Sequence, residues 1–351
     1  MRLQNLIAAV LAGVCAVGEL QGQEKSPPRD SAKELAAALK VARNPFEVPE
    51  TEDVDELLAF TQKVLTYEPT SREELDAYNK KAPAALREAC DKILELEEDT
   101  TSKPYRTAQA ILLQLQIRDL GNRDAVVNKR KLLAEAQKFV QGSDLGVMEL
   151  QVAQGLGTGL EYSGEKELAA EAYTSLGELL AKSKSPPIAQ MGERLVGAGR
   201  RMSLVGQPLK LSGTTYDGKK FDIKDLQGKV VLVDFWATWC GPCRAEHPNI
   251  EKNYAKYRDK GFEVVGISLD RDRDALDEYL KEHDVPWIVL HDEGGKNEAS
   301  DYYGIFGIPA MMLVGKDGKV VSLNARGARL GTELERLLGD EKPKEEKAKE
   351  E

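Results

Sequence analysis

A chain of 351 residues exceeds one ordinary domain and points to two. With 41% hydrophobic and 31% charged residues it has the composition of a soluble globular protein. A net charge of −10 without a basic patch speaks against nucleic acid as a partner.

Residues 1–22 have the layout of an export signal: Arg2, an apolar core from Leu6 to Val17, and Ala16-Val17-Gly18 as a small-x-small cleavage site. The core is about 12 residues, short of the roughly 20 that span a bilayer. An uncleaved membrane anchor and a weakly buried N-terminal helix are the other readings. Cys15 makes a poor lipidation site because Val14 precedes it. Residues 23–29, with Pro27 and Pro28, form a spacer, and cleavage would leave Cys90, Cys240 and Cys243.

Residues 30–205 read as a helical domain. Ser31 with Glu34, and Ser71 with Glu74, have capping-box spacing. Leu35, Leu39 and Ala42 share a helical face, as do Val54, Leu57, Leu58 and Leu65, and then Ala108, Ile111, Leu112 and Leu115. Pro104 and Pro186-Pro187 mark helix starts. The periodicity predicts about seven to nine helices. Leu156-Gly157, Leu160, Gly164, Ala169 and Tyr173 resemble one tetratricopeptide unit. No second copy lies about 34 residues upstream, so an irregular bundle with one such hairpin is expected rather than a solenoid. Cys90, in the helical pattern Leu86 to Ile93, reads as a small buried hydrophobe, with a regulatory thiol as the alternative. The domain's expected work is presenting a surface to a protein partner.

The helical pattern stops near Gly206-Gln207-Pro208. Leu209 to Ile223 alternates around Tyr216-Asp217-Gly218-Lys219, a hairpin signal. Lys229 to Asp234 is a buried-strand run, and Phe235-Trp236-Ala237-Thr238-Trp239-Cys240-Gly241-Pro242-Cys243 follows it. An amphipathic segment then continues to about Lys260. Two cysteines therefore sit where a strand hands over to a helix N-terminus. Unpaired N–H groups and the dipole's positive end stabilise a thiolate there. Cys240 can attack a disulfide, and Cys243, one turn further in, can resolve the mixed disulfide. A plain stabilising disulfide is the structural alternative. A zinc site would need two further ligands from His247, His283 and His291.

Trp239-Cys-Gly-Pro-Cys243 resembles the thioredoxin superfamily motif, and the resemblance extends through residues 206–340. Asp234 matches the family's buried carboxylate, Pro248 the proline of its active-site helix, and Tyr303 to Ala310 the segment carrying its cis-proline. The entry hairpin resembles the extracytoplasmic TlpA/ResA branch. So does an additional strand–helix unit: a strand at Phe262 to Leu269, a helix at Arg273 to His283, a strand at Pro286 to Leu290. A short helix near Glu298–Tyr303 should precede the cis-proline strand. Glu246 stands where ResA-type proteins carry an active-site glutamate. The lysine that thioredoxin places near its buried Asp is absent, and Gly266 stands about there. Ala310–Val314, a turn at Lys316 to Lys319, Val320–Leu323 and a helix from about Thr332 to Leu338 complete the domain. Residues 341–351 form a charged tail, expected to be disordered.

The expected fold is thus α+β in two domains, an all-α bundle followed by a thioredoxin-like α/β domain with a mixed central sheet. The resemblance implies catalytic roles for Cys240, Cys243, Asp234 and Glu246. Asp234, inside an apolar strand, should hold its proton to higher pH and exchange it with Cys243. Glu246 either tunes Cys243 or is a first-turn acid. Trp239, Ile308 and Pro309 would bind substrate, with Pro309 cis and the Ile308 backbone turned to the cysteines. The expectation is an exported, periplasmic or otherwise extracytoplasmic, thiol–disulfide oxidoreductase acting on protein substrates as reductant or isomerase. It would need no bound cofactor or metal and would take electrons from a redox partner. Three rivals are weighed against it: a partner-binding helical scaffold with a thioredoxin docking module, a copper(I) metallochaperone, and a peroxiredoxin-like antioxidant. The chain lacks the peroxidatic Pro-x-x-x-Thr/Ser-x-x-Cys context, and its Cys-x-x-Cys spacing is shorter than the Cys-x-x-x-Cys of Sco-type copper proteins.

Overall fold

The computed structural model describes residues 44–339 except 123, 124, 143 and 296. The export signal, the spacer, the Ser31 capping box, the face of Leu35, Leu39 and Ala42, and the charged tail lie outside these residues. The chain divides into two compact units between Gly192 and Glu193. That division falls inside a helix, ahead of the boundary read at 205 and 206 from the loss of helical pattern. Among the described residues no helix is long and apolar enough to cross a membrane.

The first unit is helical: α1 (Val54–Leu65), α2 (Arg72–Leu96), α3 (Lys103–Asp119), α4 (Lys129–Gln141), α5 (Val147–Tyr162), α6 (Lys166–Leu180) and the first part of α7 (Pro186–Met202). Side chains satisfy the orphan amides at several N-termini. Asp53 accepts from the amides of Asp55 and Glu56, and Ser71 from that of Glu74. The Glu74 carboxylate accepts from the Thr70 amide and hydroxyl rather than from the Ser71 amide, so the expected box is displaced by one residue. The predicted faces of α1 and α3 meet α2 in one core holding Leu57, Leu65, Tyr78, Leu86, Cys90, Ala108, Ile111 and Leu115. Cys90 is fully buried, and burial pushes its thiol up to about 12, with Asp91 adding. It packs as a small hydrophobe.

The α5–α6 hairpin carries the tetratricopeptide-like residues. A Cβ on Gly157 would lie 2.3 Å from the Tyr173 ring, so a glycine is required for the two helices to approach. A second tie joins three helices. The Arg106 guanidinium of α3 donates to the Phe139 carbonyl of α4 at 2.7 Å and to the Glu149 carboxylate of α5 at 2.9 Å. Both charged side chains are nearly buried.

The second unit contains the remainder of α7, a hairpin of β1 (Ser212–Thr214) and β2 (Lys220–Asp222), and a five-stranded sheet. The sheet strands are β3 (Val230–Trp236), β4 (Phe262–Ser268), β5 (Ile288–His291), β6 (Ala310–Val314) and β7 (Val320–Ser322), in the order β5-β4-β3-β6-β7. β3, β4 and β5 run parallel, and β6 pairs antiparallel with both β3 and β7, which is the expected mixed sheet. β3 is buried at every position, Asp234 included, as befits a central strand covered on both faces. Each fully buried Val or Leu there contributes about 1.5–3 kcal/mol.

Alternation along β3 divides its side chains between two layers. Val231, Val233 and Phe235 join a cluster with Leu209, Leu211 and Phe221 from around the hairpin, and with Tyr303. Val230 and Leu232 face α8 (Gly241–Tyr257) and α11 (Ala328–Leu338), which bury Ile250, Tyr257, Leu330, Leu334 and Leu338. α9 (Arg273–His283) and α10 (Glu298–Tyr302) complete the unit, with α9 the helix of the expected additional strand–helix unit. α11 begins four residues earlier than the sequence suggested, since Leu330 already belongs to its buried stripe and Gly327 precedes it at φ +57.

Candidate functional site

β3 ends at Trp236, and the chain reaches the N-terminus of α8 within a few residues. Cys240 is the N-cap: its Sγ accepts from the Cys243 amide at 3.2 Å, and its carbonyl accepts from the Arg244 amide at 3.1 Å. The two cysteines are joined in a disulfide with Cα atoms 5.2 Å apart. The Cys240 sulfur therefore stands in for the thiolate that would take this amide after reduction. No acidic residue occupies the first turn of α8, so nothing there offsets the helix's positive end. Cys240 retains 5% exposure while Cys243 is fully buried, so the first is the less buried of the pair.

The remaining predicted residues surround this pair unequally. Trp236, Ala237, Leu276 and Tyr279 pack with both cysteines, and Ile308 packs against that cluster. The Ile308–Pro309 peptide is cis. Trp239 stands out at 68% exposed, outside the cluster, whereas Trp236 is buried beneath the site. Asp234 is 2% exposed, with Gly266 beside it on β4 and Met311 on β6. Its Oδ1 has no hydrogen-bond partner in the protein. Burial pushes its carboxyl up to about 8, and the nearby charge of Glu246 adds to the shift.

Gly266 occupies the register position that the absent lysine suggested. A Cβ there would lie 2.9 Å from Trp236 Nε1 and 3.4 Å from Trp287 Nε1, so indole rings occupy the space a longer side chain would need. Glu246 is not the first-turn acid that one of its two readings expected. It lies in the second turn of α8, past the first-turn positions. Its Oε2 accepts from the Gly327 amide at 3.0 Å and from Asn249 at 3.3 Å, and Arg326 pairs with Oε1 at 3.7 Å. Its carboxylate ties α8 to the start of α11 while its charge acts on Asp234.

Two buried polar groups escaped the sequence reading. Asp270, just past β4, accepts from the Thr238 amide at 3.1 Å, the Thr238 hydroxyl at 2.6 Å and the Ser268 hydroxyl at 2.9 Å. It fixes the residue that precedes Trp239-Cys240. The Ser-x-Asp spacing at a strand end was the available signal. His247, weighed from sequence only as a metal ligand, lies four residues after Cys243 and so on the same face of α8. Its Nδ1 is hydrogen-bonded to the Tyr279 hydroxyl at 2.8 Å, and its ring packs edge-on to Trp236 at 4.7 Å. Burial pushes the imidazole down to about 4, with His283 adding to the effect, so it is neutral at ordinary pH. His291 instead donates to the Asp270 carbonyl. Among the described residues no three of His, Cys, Asp and Glu converge to hold a metal ion.

A cysteine pair at the helix end that follows a buried parallel strand places the molecule in the class of thioredoxin-fold proteins with a redox-active disulfide. Comparison with known proteins narrows the class. The Redoxin family matches residues 202–336. Thiol-disulfide oxidoreductase ResA of Bacillus thuringiensis subsp. konkukian is 37% identical over 125 residues, covering 36% of this chain and 70% of that protein. ResA of Oceanobacillus iheyensis is 36% identical over 137 residues, covering 39% of this chain and 70% of that protein. Among solved structures, the thioredoxin domain of a thiol-disulfide oxidoreductase from Bacteroides vulgatus is 31% identical, with a TM-score of 0.36, covering 38% of this chain and 97% of that one. The chain belongs to the ResA family of thiol-disulfide oxidoreductases. It is a disulfide oxidoreductase of the thioredoxin superfamily.

Proposed function

We propose that this protein is exported and exchanges its Cys240/Cys243 dithiol with disulfides of protein substrates, as a reductant or isomerase. The observation that carries the reading is the Cys243 amide on Cys240 Sγ at the N-cap of α8. It provides a hydrogen bond and a helix dipole to the sulfur of the less buried cysteine of the pair.

The reaction follows from these positions. The Cys240 thiolate attacks one sulfur of a substrate disulfide, and that S–S bond breaks as the mixed disulfide forms. The departing substrate thiolate takes a proton from solvent. Cys243 gives its proton to Asp234 in those molecules where this carboxyl is ionised, a share that grows as pH approaches its pKa of about 8. The Cys243 thiolate then attacks Cys240 Sγ, the protein disulfide closes, and the second substrate thiolate leaves and is protonated. Two electrons pass from the dithiol to the substrate, and an upstream dithiol donor returns them. Sulfur alone carries the electrons, so no bound cofactor enters.

Trp239 and the Ile308–Pro309 segment would form the docking face for a polypeptide, a reading supported by the exposure of Trp239 and the packing of Ile308 against the cysteine cluster. Export is supported by the Leu6–Val17 core and the small-residue site that follows it. The helical unit would recruit a protein partner. Reduction of insulin disulfides tests the activity. The intact chain should precipitate the insulin B chain when supplied with dithiothreitol, and Cys240→Ser should not. Equal rates for both proteins would favour the scaffold reading.

A further inference from the structure

Residues 193–201 precede the segment matched by the Redoxin family, yet they pack within the second unit. Their partner is the stretch that leads into Ile308 and Pro309. Gly197 meets it at backbone distance: a Cβ there would lie 2.8 Å from the Asp301 carbonyl oxygen, the Tyr302 carbonyl oxygen and the Gly304 nitrogen. The fit is reciprocal. Gly304 sits at φ +56, and a Cβ on it would lie 2.2 Å from the Arg194 carbonyl oxygen and 2.3 Å from the Ala198 nitrogen. Contact this close requires glycine on both sides, and Gly304 also needs it for its backbone angle.

Two arginines on the same helix segment complete the grip. Arg194 Nη2 donates to the Ile305 carbonyl at 2.8 Å. Its Nε lies 3.4 Å from the Asp301 carboxylate, and its guanidinium is 5.4 Å from the Phe306 ring centroid. Arg200 donates to the Tyr302 carbonyl and lies 3.9 Å over the Tyr302 ring. From the other direction the Tyr303 hydroxyl accepts from the Lys210 amide at 2.9 Å and donates to the Lys210 carbonyl at 3.0 Å. The backbone from Asp301 to Ile305 is therefore held on two sides. Ile308, three residues on, packs against the cluster of Cys240 and Cys243.

We propose that Arg194 and Gly197 are positioning residues for substrate docking: the C-terminal half of α7 sets where Ile308 and Pro309 stand beside the cysteines. This rests on the reading that a polypeptide is the substrate. It makes a distinction that a purely stabilising role would not. A small disulfide needs only Cys240, whereas a polypeptide also needs the 308–309 segment in place.

The test uses the full chain and compares oxidised glutathione with insulin. Arg194→Met keeps the aliphatic stem and removes the charged donor. It should lower kcat/KM for insulin by about tenfold, chiefly through KM, the loss expected for a hydrogen bond from a charged group. Reaction of the reduced protein with oxidised glutathione should stay within about twofold of wild type on the same argument. Arg194→Lys, which restores a charged donor, should recover part of the insulin rate. Gly197→Ala should shift the same ratio in the same direction, and circular dichroism will show whether each variant is folded. Unchanged insulin kinetics in a folded Arg194→Met protein, or an equal fall for both disulfides, would overturn the positioning role alone. A wild-type protein that reacts with oxidised glutathione but never with insulin would instead remove the protein-substrate reading and this proposal with it.

Discussion

Replacing Asp234 with asparagine removes one proton equilibrium from the core of the second unit. In the native protein burial, reinforced by Glu246, pushes this carboxyl up to about 8 from its ordinary value of 3.8. An unfolded chain releases the proton near that ordinary value, while the native protein retains it. Between those limits the native state binds one more proton than the unfolded state at this group, so the stability contributed by Asp234 is greatest at low pH and declines as pH rises toward 8. The decline is about 1.4 kcal/mol per pH unit, or roughly 6 kcal/mol over the whole interval as an upper bound. Asp234→Asn lacks this slope. At pH 8 it should be the more stable protein by several kcal/mol, on the same linkage. Disulfide exchange in the variant should slow at least about tenfold, since a positioned acid–base group contributes that much or more. The assay is urea unfolding of the oxidised protein at a series of pH values. All three tryptophans, Trp236, Trp239 and Trp287, lie in the second unit, so their fluorescence reports its transition alone. A difference between variant and wild type that is flat across pH 5 to about 8 would refute the argument.

Three further sets of substitutions probe separate parts of the account. His247, held down to about 4 by burial, must refuse a proton that the unfolded imidazole accepts near 6.5, so its own contribution to stability should fall as pH drops between these values, opposing that of Asp234. His247→Phe should remove that loss, about 1.4 kcal/mol per pH unit, when the two proteins are unfolded in urea between pH 6 and about 4. Asp270→Ala should free Thr238 and cut insulin reduction by about tenfold, while Asp270→Asn, which still accepts from the Thr238 amide, should retain most of it; equal activity in all three proteins would remove the clamp from the site. Glu149→Ala leaves the Arg106 charge buried without its partner and should destabilise the helical unit by about 3 kcal/mol in far-ultraviolet unfolding curves, with Arg106→Met in the same chain restoring part of the loss.

What the sequence could convey was local. The run Lys229 to Asp234 identified a buried strand, and the two cysteines after it located the helix end that holds the disulfide. Gly157 and Tyr173 had the spacing of a helical hairpin and meet as that spacing requires. The parts that stayed hidden depend on partners far along the chain. Glu246 is engaged by Gly327, and Thr238 by Asp270, through hydrogen bonds that leave no periodic trace in either segment. Gly197 and Gly304 are unremarkable in isolation, and their need for glycine exists only once two backbones meet. The helical pattern of 193–202 was correctly visible as a helix, but periodicity cannot say which core a helix face joins. His247 had a legible spacing from Cys243, and its neighbours Trp236, Tyr279 and Trp287 come from three separate stretches.

The central claim is that Cys240 attacks and Cys243 resolves. It is tested most directly by trapping. Reduced Cys243→Ser protein mixed with a disulfide-bearing polypeptide should accumulate a mixed disulfide through Cys240, identified by peptide mass spectrometry, while Cys240→Ser should accumulate none. A stable adduct on Cys243 in the Cys240→Ser protein, with none on Cys240 in its counterpart, would reverse the assignment and contradict the account.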